Sequence, residues 1–331
     1  MSWTTIWSHA QRGIAHHSAG EGQNRLTLRQ ITPVKKIRLV FANDYGKQTE
    51  HIYDLSVQTN DRCHQIPNFS IAPGEVYRTA PFLIDSEAKK WQFTFQTTSM
   101  ESGFAANDAD LFPSSDASSF CSGLLAIEAE ITGDCVIAFG DSLTEGATWT
   151  APLQSKLRKQ NIYLVNQGIN GSCLLKSSSD SLTKESRQLF YGYNALRRLE
   201  MCLISHKRVK KILFFIGIND LIHDELTVEN FQVELKKLIR LCEKQDVAYQ
   251  LCTLPPCMGY PGMDGKKEKI RNEINRWLLT TYDNLWDFSS IVEKAPSYLN
   301  PLFDSGDHLH FNAIAGLAIA RQISSDFVKG E

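Results

Sequence analysis

No stretch of this sequence approaches the ~18 to 20 consecutive apolar residues of a membrane-spanning helix, so no membrane span is expected. Charge of either sign is not in excess. Lys and Arg total 35 against 37 Asp and Glu, a net charge of -2, which argues against a general electrostatic grip on nucleic acid or an anionic membrane. None of the eight cysteines (Cys63, Cys121, Cys135, Cys173, Cys202, Cys242, Cys252, Cys257) forms a CxxC pair, so a structural zinc site has little support. Cys135, Cys202, Cys242 and Cys252 sit inside apolar patterns and read as small buried hydrophobes. The start, "MSWTTIWSHAQRGIAHH", lacks a basic segment followed by an apolar one. A cytoplasmic location, with no disulfide framework, is the expectation unless processing has removed a leader. Internal repeats and low-complexity tracts are also missing.

What remains is an ordinary globular composition, 42% apolar and 22% charged, in a chain of 331 residues. That length exceeds what one core usually serves, so two domains are expected. The hydrophobic period changes near residue 130. Before it, the pattern alternates: Ile37, Leu39 and Phe41 in "KKIRLVFAND", Tyr53, Leu55 and Val57 in "HIYDLSVQT", Trp91, Phe93 and Phe95 in "KKWQFTFQTT". Period two, with turn signals at Asn43-Asp44-Tyr45-Gly46 and Pro73-Gly74, predicts half-buried antiparallel strands in an all-β sandwich, jelly-roll-like, over 1–130. The stretch "SMESGFAANDADLFPSSDASSF" has the composition of a long surface loop.

From 131 to 331, short apolar runs alternate with helical patterns. "CVIAFG", "IYLVNQG", "KKILFFIG", "VAYQLCTL" and "LWDFS" read as strands. "VENFQVELKKLIRLCEK" places Val228, Phe231, Leu235, Leu238, Ile239 and Cys242 on one helical face behind a Thr227 N-cap. In "KEKIRNEINRWLL", Ile270, Ile274, Trp277 and Leu278 group together. Alternating strand and helix predicts an α/β domain with a parallel sheet covered on both faces, binding its ligand at the carboxyl ends of the strands.

The polar motifs fall at those ends. "IAFGDSLTEG" stops a buried strand at Gly140, Asp141 and Ser142, and Gly140 and Gly146 permit tight turns around the serine. A tight strand-to-helix turn explains this, and so does a displayed nucleophile. The segment lacks the lysine of a phosphate-binding P-loop. A serine nucleophile needs a base, and the base a carboxylate to orient it. "FDSGDHLHFNAIAG" offers Asp307 and His310 three apart, with His308 as a rival base and Asp304 as a rival orienting group. His308-x-His310 with nearby aspartates is also a conceivable metal set. Donors for an oxyanion are available at Gly171 in "VNQGINGSC" and Asn219 in "FFIGINDL", though both types also serve ordinary turns.

The ordered set Ser142, Gly171, Asn219 and His310, in "GDSLTEG", "NQGINGS", "GIND" and "DHLH", resembles the GDSL, or SGNH, hydrolase family. The resemblance implies a flavodoxin-like five-stranded parallel sheet and a serine carboxylester hydrolase acting through an acyl-enzyme. It implies Ser142 as nucleophile, His310 as base, Asp307 as its orienting carboxylate, and the Ser142 N–H, the Gly171 N–H and the Asn219 side chain as the oxyanion hole. Neither a metal nor a cofactor is implied. "RLTLRQITPVKKIRLVFANDYG" and "YNALRRLEMCLI" resemble a bacterial subgroup with an N-terminal β-rich domain. Two positions depart from the common pattern. Phe311 replaces a frequent proline, and Asn170-Gly171-Ser172 lacks the asparagine that often follows the glycine.

The expected substrate is a small-molecule or oligosaccharide ester, with deacetylation of carbohydrate as the leading reading and no nucleic acid partner. A lipase, lysophospholipase or thioesterase acting on longer chains is the alternative, with Phe190, Tyr191, Tyr193, Met258, Tyr260 and Met263 as candidate acyl-pocket residues. A non-catalytic carbohydrate-binding protein is a third. Oligomeric state is not legible.

Overall fold

The structure is a computed structural model that describes residues 2–14, 22–29, 32–99, 101–105, 120–178, 189–223 and 226–328. The chain divides into two compact units. One is Met1–Cys135 with Ser178–Gly192 and Met201–Arg208; the other is Val136–Ser177, Tyr193–Glu200 and Val209–Glu331.

The first unit is built from antiparallel sheets. One orders the strands Trp3–Ser8, Leu124–Glu130, Lys36–Ala42 and Val76–Arg78, with Phe82–Leu83 also on Lys36–Ala42. The other orders Gly22–Arg29, Lys90–Thr97, Glu50–Thr59 and Arg62–Ile66, with Phe69–Ile71 also on Glu50–Thr59. Aromatic contacts join the two as a sandwich: Phe41 meets Phe95 at 5.4 Å between ring centroids, and Phe69 stacks on Tyr77 at 4.0 Å. Trp91, Phe93 and Phe95 are fully buried, as their alternation predicts.

The pattern fails in one strand. In Glu50–Thr59 the buried apolar residues are Ile52, Leu55 and Val57, while Tyr53 turns away from the core. Asp54 adopts φ 54°, and pairing with Lys90–Thr97 slips there from Thr94↔Ser56 to Gln96↔Tyr53. An extra residue at a bulge reverses which parity faces inward. The stretch read as a long loop also contains strands, since Ser102–Ala105 pairs with both Phe120–Ser122 and Arg12–Gly13. Residues 106–119 of that stretch lie outside the described residues.

Buried polar groups in this unit are networked. Glu128, fully buried, is gripped by Arg38 at 2.5 Å and Arg78 at 3.0 Å, and Arg78 also donates to the Ser205 carbonyl at 2.7 Å. His206 lies between Ser8 Oγ at 2.7 Å and Ser205 Oγ at 2.9 Å. Burial holds its imidazole down at about 4 against an ordinary 6.5, despite the opposing hydrogen bond to the Cys202 carbonyl. The folded state therefore keeps His206 neutral where the unfolded chain takes up a proton. The contribution of His206 to stability is expected to fall as pH drops from 6.5 towards 4, by about 1.4 kcal/mol per pH unit. Thermal unfolding across that window, compared with His206→Gln, checks this; equal slopes in the two proteins would refute it.

The second unit carries a five-strand parallel sheet. Its strands are Asp134–Gly140, Ile162–Gly168, Val209–Phe215, Ala248–Cys252 and Leu285–Trp286, in spatial order second, first, third, fourth, fifth. That is the flavodoxin-like order, with a switch point beside the first strand. The helix Val228–Lys244 buries Phe231, Leu235, Leu238, Ile239 and Cys242, behind a capping box of Thr227 and Asn230. The helix Gly265–Thr281 departs from expectation. Its buried face holds Ile274 and Leu278 but also Glu268, Arg271 and Asn275. Arg271 makes this tolerable by bonding Glu268 at 2.6 Å and the Leu254 carbonyl at 3.0 Å. Among the described residues no helix is long and apolar enough to cross a membrane. All eight cysteines are free, and Cys63 alone is exposed.

Candidate active site

The first parallel strand ends at Gly140, and a four-residue helix, Ser142–Glu145, begins at once. A Cβ at position 140 would stand 2.4 Å from the Phe215 carbonyl oxygen and 2.3 Å from Thr144 Oγ1, so the turn closes only around glycine. Gly146 is different. Its φ is -63°, an ordinary helical value, so the expected need for glycine at this turn does not hold there; Ala147, at φ 56°, takes the left-handed conformation instead. Asp141 caps the helix by accepting the Leu143 N–H at 3.0 Å. Its carboxyl is fully buried and raised to about 7, chiefly by that burial and also by the charge of Asp220, against relief from the Leu143 bond and Arg198.

Ser142 Oγ lies 2.8 Å from His310 Nε2, and His310 Nδ1 lies 2.5 Å from Asp307 Oδ2. The other Asp307 oxygen accepts the backbone N–H groups of His310 at 2.8 Å and Leu309 at 3.0 Å. Burial pushes this carboxyl up, but the hydrogen bonds from His310 and Leu309 and the His310 charge outweigh it and hold it at about 2. The chain thus brings together the serine, histidine and aspartate that the resemblance singled out. The rivals pair with each other: His308 Nδ1 contacts Asp304 Oδ2 at 3.0 Å, and the His308 side chain is 58% exposed. With the two imidazoles held by different carboxylates, His308 and His310 form no shared metal set.

Local structure fixes this arrangement. Asp304 Oδ1 accepts the N–H groups of Gly306, Asp307 and His308, folding the loop. Asn312 caps the helix Ala313–Gln322 and ties the loop back through the carbonyls of Leu302 and Asp304 at 2.9 and 3.1 Å. Phe311, where proline is common in the resembled pattern, is buried and lies against Phe215 with ring centroids 6.2 Å apart. Packing anchors the loop at this position. Tyr260 presents its ring to His310 at 6.3 Å, nearly edge-on.

Gly171 takes φ 73°, a conformation that favours glycine. Asn219, at the start of the helix Ile218–His223, donates its Nδ2 to the Ser172 carbonyl at 3.0 Å. Its neighbour Asp220 is fully buried and accepts the Leu174 and Leu175 N–H groups at 2.7 and 2.9 Å. Asn166 donates to the Thr144 carbonyl at 2.7 Å, and Glu145 accepts the Asn170 N–H at 2.6 Å. The loop 170–175 is therefore latched to the Ser142 turn on one side and to the third strand's end on the other.

Asp220, Asn166, Glu145 and Arg198 belong to this framework, and motif reading missed all four. One signal was available. Ala195, Leu199 and Cys202 make a buried helical stripe, and Arg198 sits on the same face, only 4% exposed. Of the six candidate acyl-pocket residues, Phe190 and Tyr191 fall in the first unit, where Arg12 lies over the Phe190 ring at 5.2 Å. Tyr193, Met258, Tyr260 and Met263 fall in the second.

The profile of the GDSL-like lipase/acylhydrolase family matches residues 138–315, more than half of the chain. No curated protein matches the sequence. Several solved structures are similar in fold. A putative acylhydrolase from Bacteroides fragilis is 16% identical, with a TM-score of 0.45 over 60% of this chain and 91% of its own. A carbohydrate acetylesterase family member from Sinorhizobium meliloti is 21% identical, with a TM-score of 0.43 over 57% and 94%. The esterase EstA from Pseudoalteromonas sp. is also 21% identical, with a TM-score of 0.41 over 57% and 93%. The family match, spanning the turn that carries Ser142 and the loop that carries His310, establishes that this chain belongs to the GDSL-like lipase/acylhydrolase family and is a carboxylic ester hydrolase.

Proposed function

We propose that the chain hydrolyses carboxylic esters through a Ser142 acyl-enzyme, with small acyl groups on carbohydrate, acetyl above all, as its substrates. The continuous hydrogen-bonded line from Ser142 through His310 to Asp307 carries this reading. His310 Nε2 takes the Ser142 proton as Oγ attacks the ester carbonyl. The oxyanion that forms is met by the N–H groups of Ser142 and Gly171 and by the Asn219 amide, whose second N–H is not needed for Ser172. His310 then returns the proton to the departing alcohol. Water, deprotonated by the same nitrogen, releases the acid. Asp307, held ionised, keeps the imidazole in the required tautomer and offsets its positive charge. In this reading residues 131–331 do the chemistry and the sandwich of residues 1–130 is an accessory domain. The carbohydrate preference rests on that sandwich, a frequent companion of carbohydrate-active enzymes, and is an analogy.

One observation favours longer acyl chains. Leu302 and Ile314 are 68% and 58% exposed, and both are hydrogen-bonded to Asn312, next to the His310 loop. A series of p-nitrophenyl esters from acetate to palmitate decides between the readings. A rate maximum at acetate, followed by release of acetate from acetylated oligosaccharides, is the expected result. A maximum at about eight carbons or more would move the substrate to lipids, and no turnover of any ester would overturn the proposal.

A further inference from the structure

We propose that Arg198 and Ser172 form a positioning pair that sets the Gly171 loop against the Ser142 turn; this rests on the esterase reading above. Arg198 projects from the helix Ala195–Ser205 and is almost completely buried. Its Nη1 donates to Ser172 Oγ at 2.6 Å and to the Gly140 carbonyl at 3.0 Å, and its Nη2 donates to the Gln167 carbonyl. The guanidinium carbon lies 4.5 Å from the centre of the Phe139 ring. One side chain thus joins the strand end two residues before Ser142, the end of the neighbouring strand, and the loop after Gly171. Only the planar fork of arginine reaches three such acceptors at once; a lysine ammonium is a single point on a flexible stem.

Ser172 is the other half of the device. It is fully buried, and each of its polar groups is engaged. Its N–H donates to the Ile169 carbonyl at 3.0 Å, its carbonyl accepts from Asn219, and its hydroxyl accepts from Arg198. The residue immediately after Gly171 is therefore held from both sides, which fixes the direction of the Gly171 peptide and of the Asn219 amide together. This is the position at which the sequence lacks the asparagine common after the glycine. A short serine hydroxyl here is matched by a long, buried arginine. Burying a guanidinium is costly unless its donors are met. The buried carboxylates of Asp141 and Asp220 lie close enough to interact with each other electrostatically, and Arg198 offsets the charge at Asp141. A displacement of an oxyanion donor by about 1 Å is enough to lose ~10²-fold in rate.

The test uses the full chain, wild type beside Ser142→Ala, Arg198→Lys and Ser172→Ala, with active sites of the proteins that retain Ser142 counted by an organophosphonate that labels the nucleophile. Arg198→Lys is expected to lower kcat per titrated site on p-nitrophenyl acetate by ~10²-fold, with KM changed less than about threefold. Ser172→Ala, which removes one hydroxyl and keeps the fold accessible should the arginine variant fail, is expected to lose about tenfold. The double variant should lose less than the product of the single losses, because the two groups act as one. The inhibition constant of an alkyl boronic acid, tetrahedral on the nucleophile, should rise by the factor that kcat/KM falls. A merely structural role would reduce the number of titrated sites and leave kcat per site and boronate affinity unchanged. That result, in a wild type whose activity depends on Ser142, overturns the proposal alone. An inactive wild type, or one indifferent to Ser142→Ala, overturns the esterase assignment and the positioning pair with it.

Discussion

Hydrolysis of p-nitrophenyl acetate is expected to fall on the order of 10⁶-fold in kcat in Ser142→Ala, and about 10⁴-fold in Asp307→Asn. The two losses have different causes. Alanine removes the attacking atom, and what survives is binding and the oxyanion donors acting on water. Asparagine keeps the shape at 307, but its amide can present a donor to His310 Nδ1, which favours the tautomer with the proton on Nε2. That nitrogen, 2.8 Å from Ser142 Oγ, then cannot accept the serine proton. A charge is lost as well, one that the native loop maintains at any ordinary pH by holding Asp307 at about 2. The neighbouring pair supplies the control. His308→Asn, at an exposed imidazole bound to Asp304, should change kcat less than about twofold. Steady-state rates normalised to the concentration of folded protein check all three. Near-native kcat in Asp307→Asn, or a large loss in His308→Asn, would refute the assignment of roles.

The second large effect concerns stability and lies in the sandwich. Glu50 is fully buried, and Ser122 Oγ donates to it at 2.7 Å. Burial raises its carboxyl to about 8 from 4.5; the Ser122 bond opposes the shift, and the charge of Glu101 adds to it. The folded unit therefore keeps the proton that the unfolded chain releases above pH 4.5. The stabilisation is complete below that pH and drains away as pH rises to 8, at about 1.4 kcal/mol per pH unit. Glu50→Gln copies the neutral form and has no proton to lose. Its advantage over the native protein should grow from nothing near pH 4.5 to several kcal/mol near pH 8 and then level off. Urea unfolding at a series of pH values, followed by a probe within the sandwich, measures it. Parallel stability curves for the two proteins would show that Glu50 is not the buried acid described here. His206 acts in the opposite sense, and where the two windows overlap, from pH 4.5 to 6.5, their slopes are expected to cancel, so the sandwich is most stable there.

Much of this molecule was legible because its chemistry is local in sequence. A strand that ends in Gly-Asp-Ser, an aspartate three residues before a histidine, and alternating or helical apolar periods are short-range facts. They determined the parallel sheet and the antiparallel sandwich and put forward Ser142 with two histidines and two aspartates, among which the family resemblance selected His310 and Asp307. Distance in the chain hid the rest. Spacing alone leaves His308 and His310 as rivals; which imidazole faces Ser142 depends on how Asp304 and Asn312 fold one loop. The parity of Glu50–Thr59 turns on a single bulge at Asp54, which no periodicity announces. Arg198 reads as a charge on an apolar helical stripe, yet its partners at Gly140, Gln167 and Ser172 lie 26 to 58 residues away. Hydrophobic burial can be read from spacing because it is non-directional. A buried polar group needs particular atoms at particular distances, and only the tertiary structure supplies them.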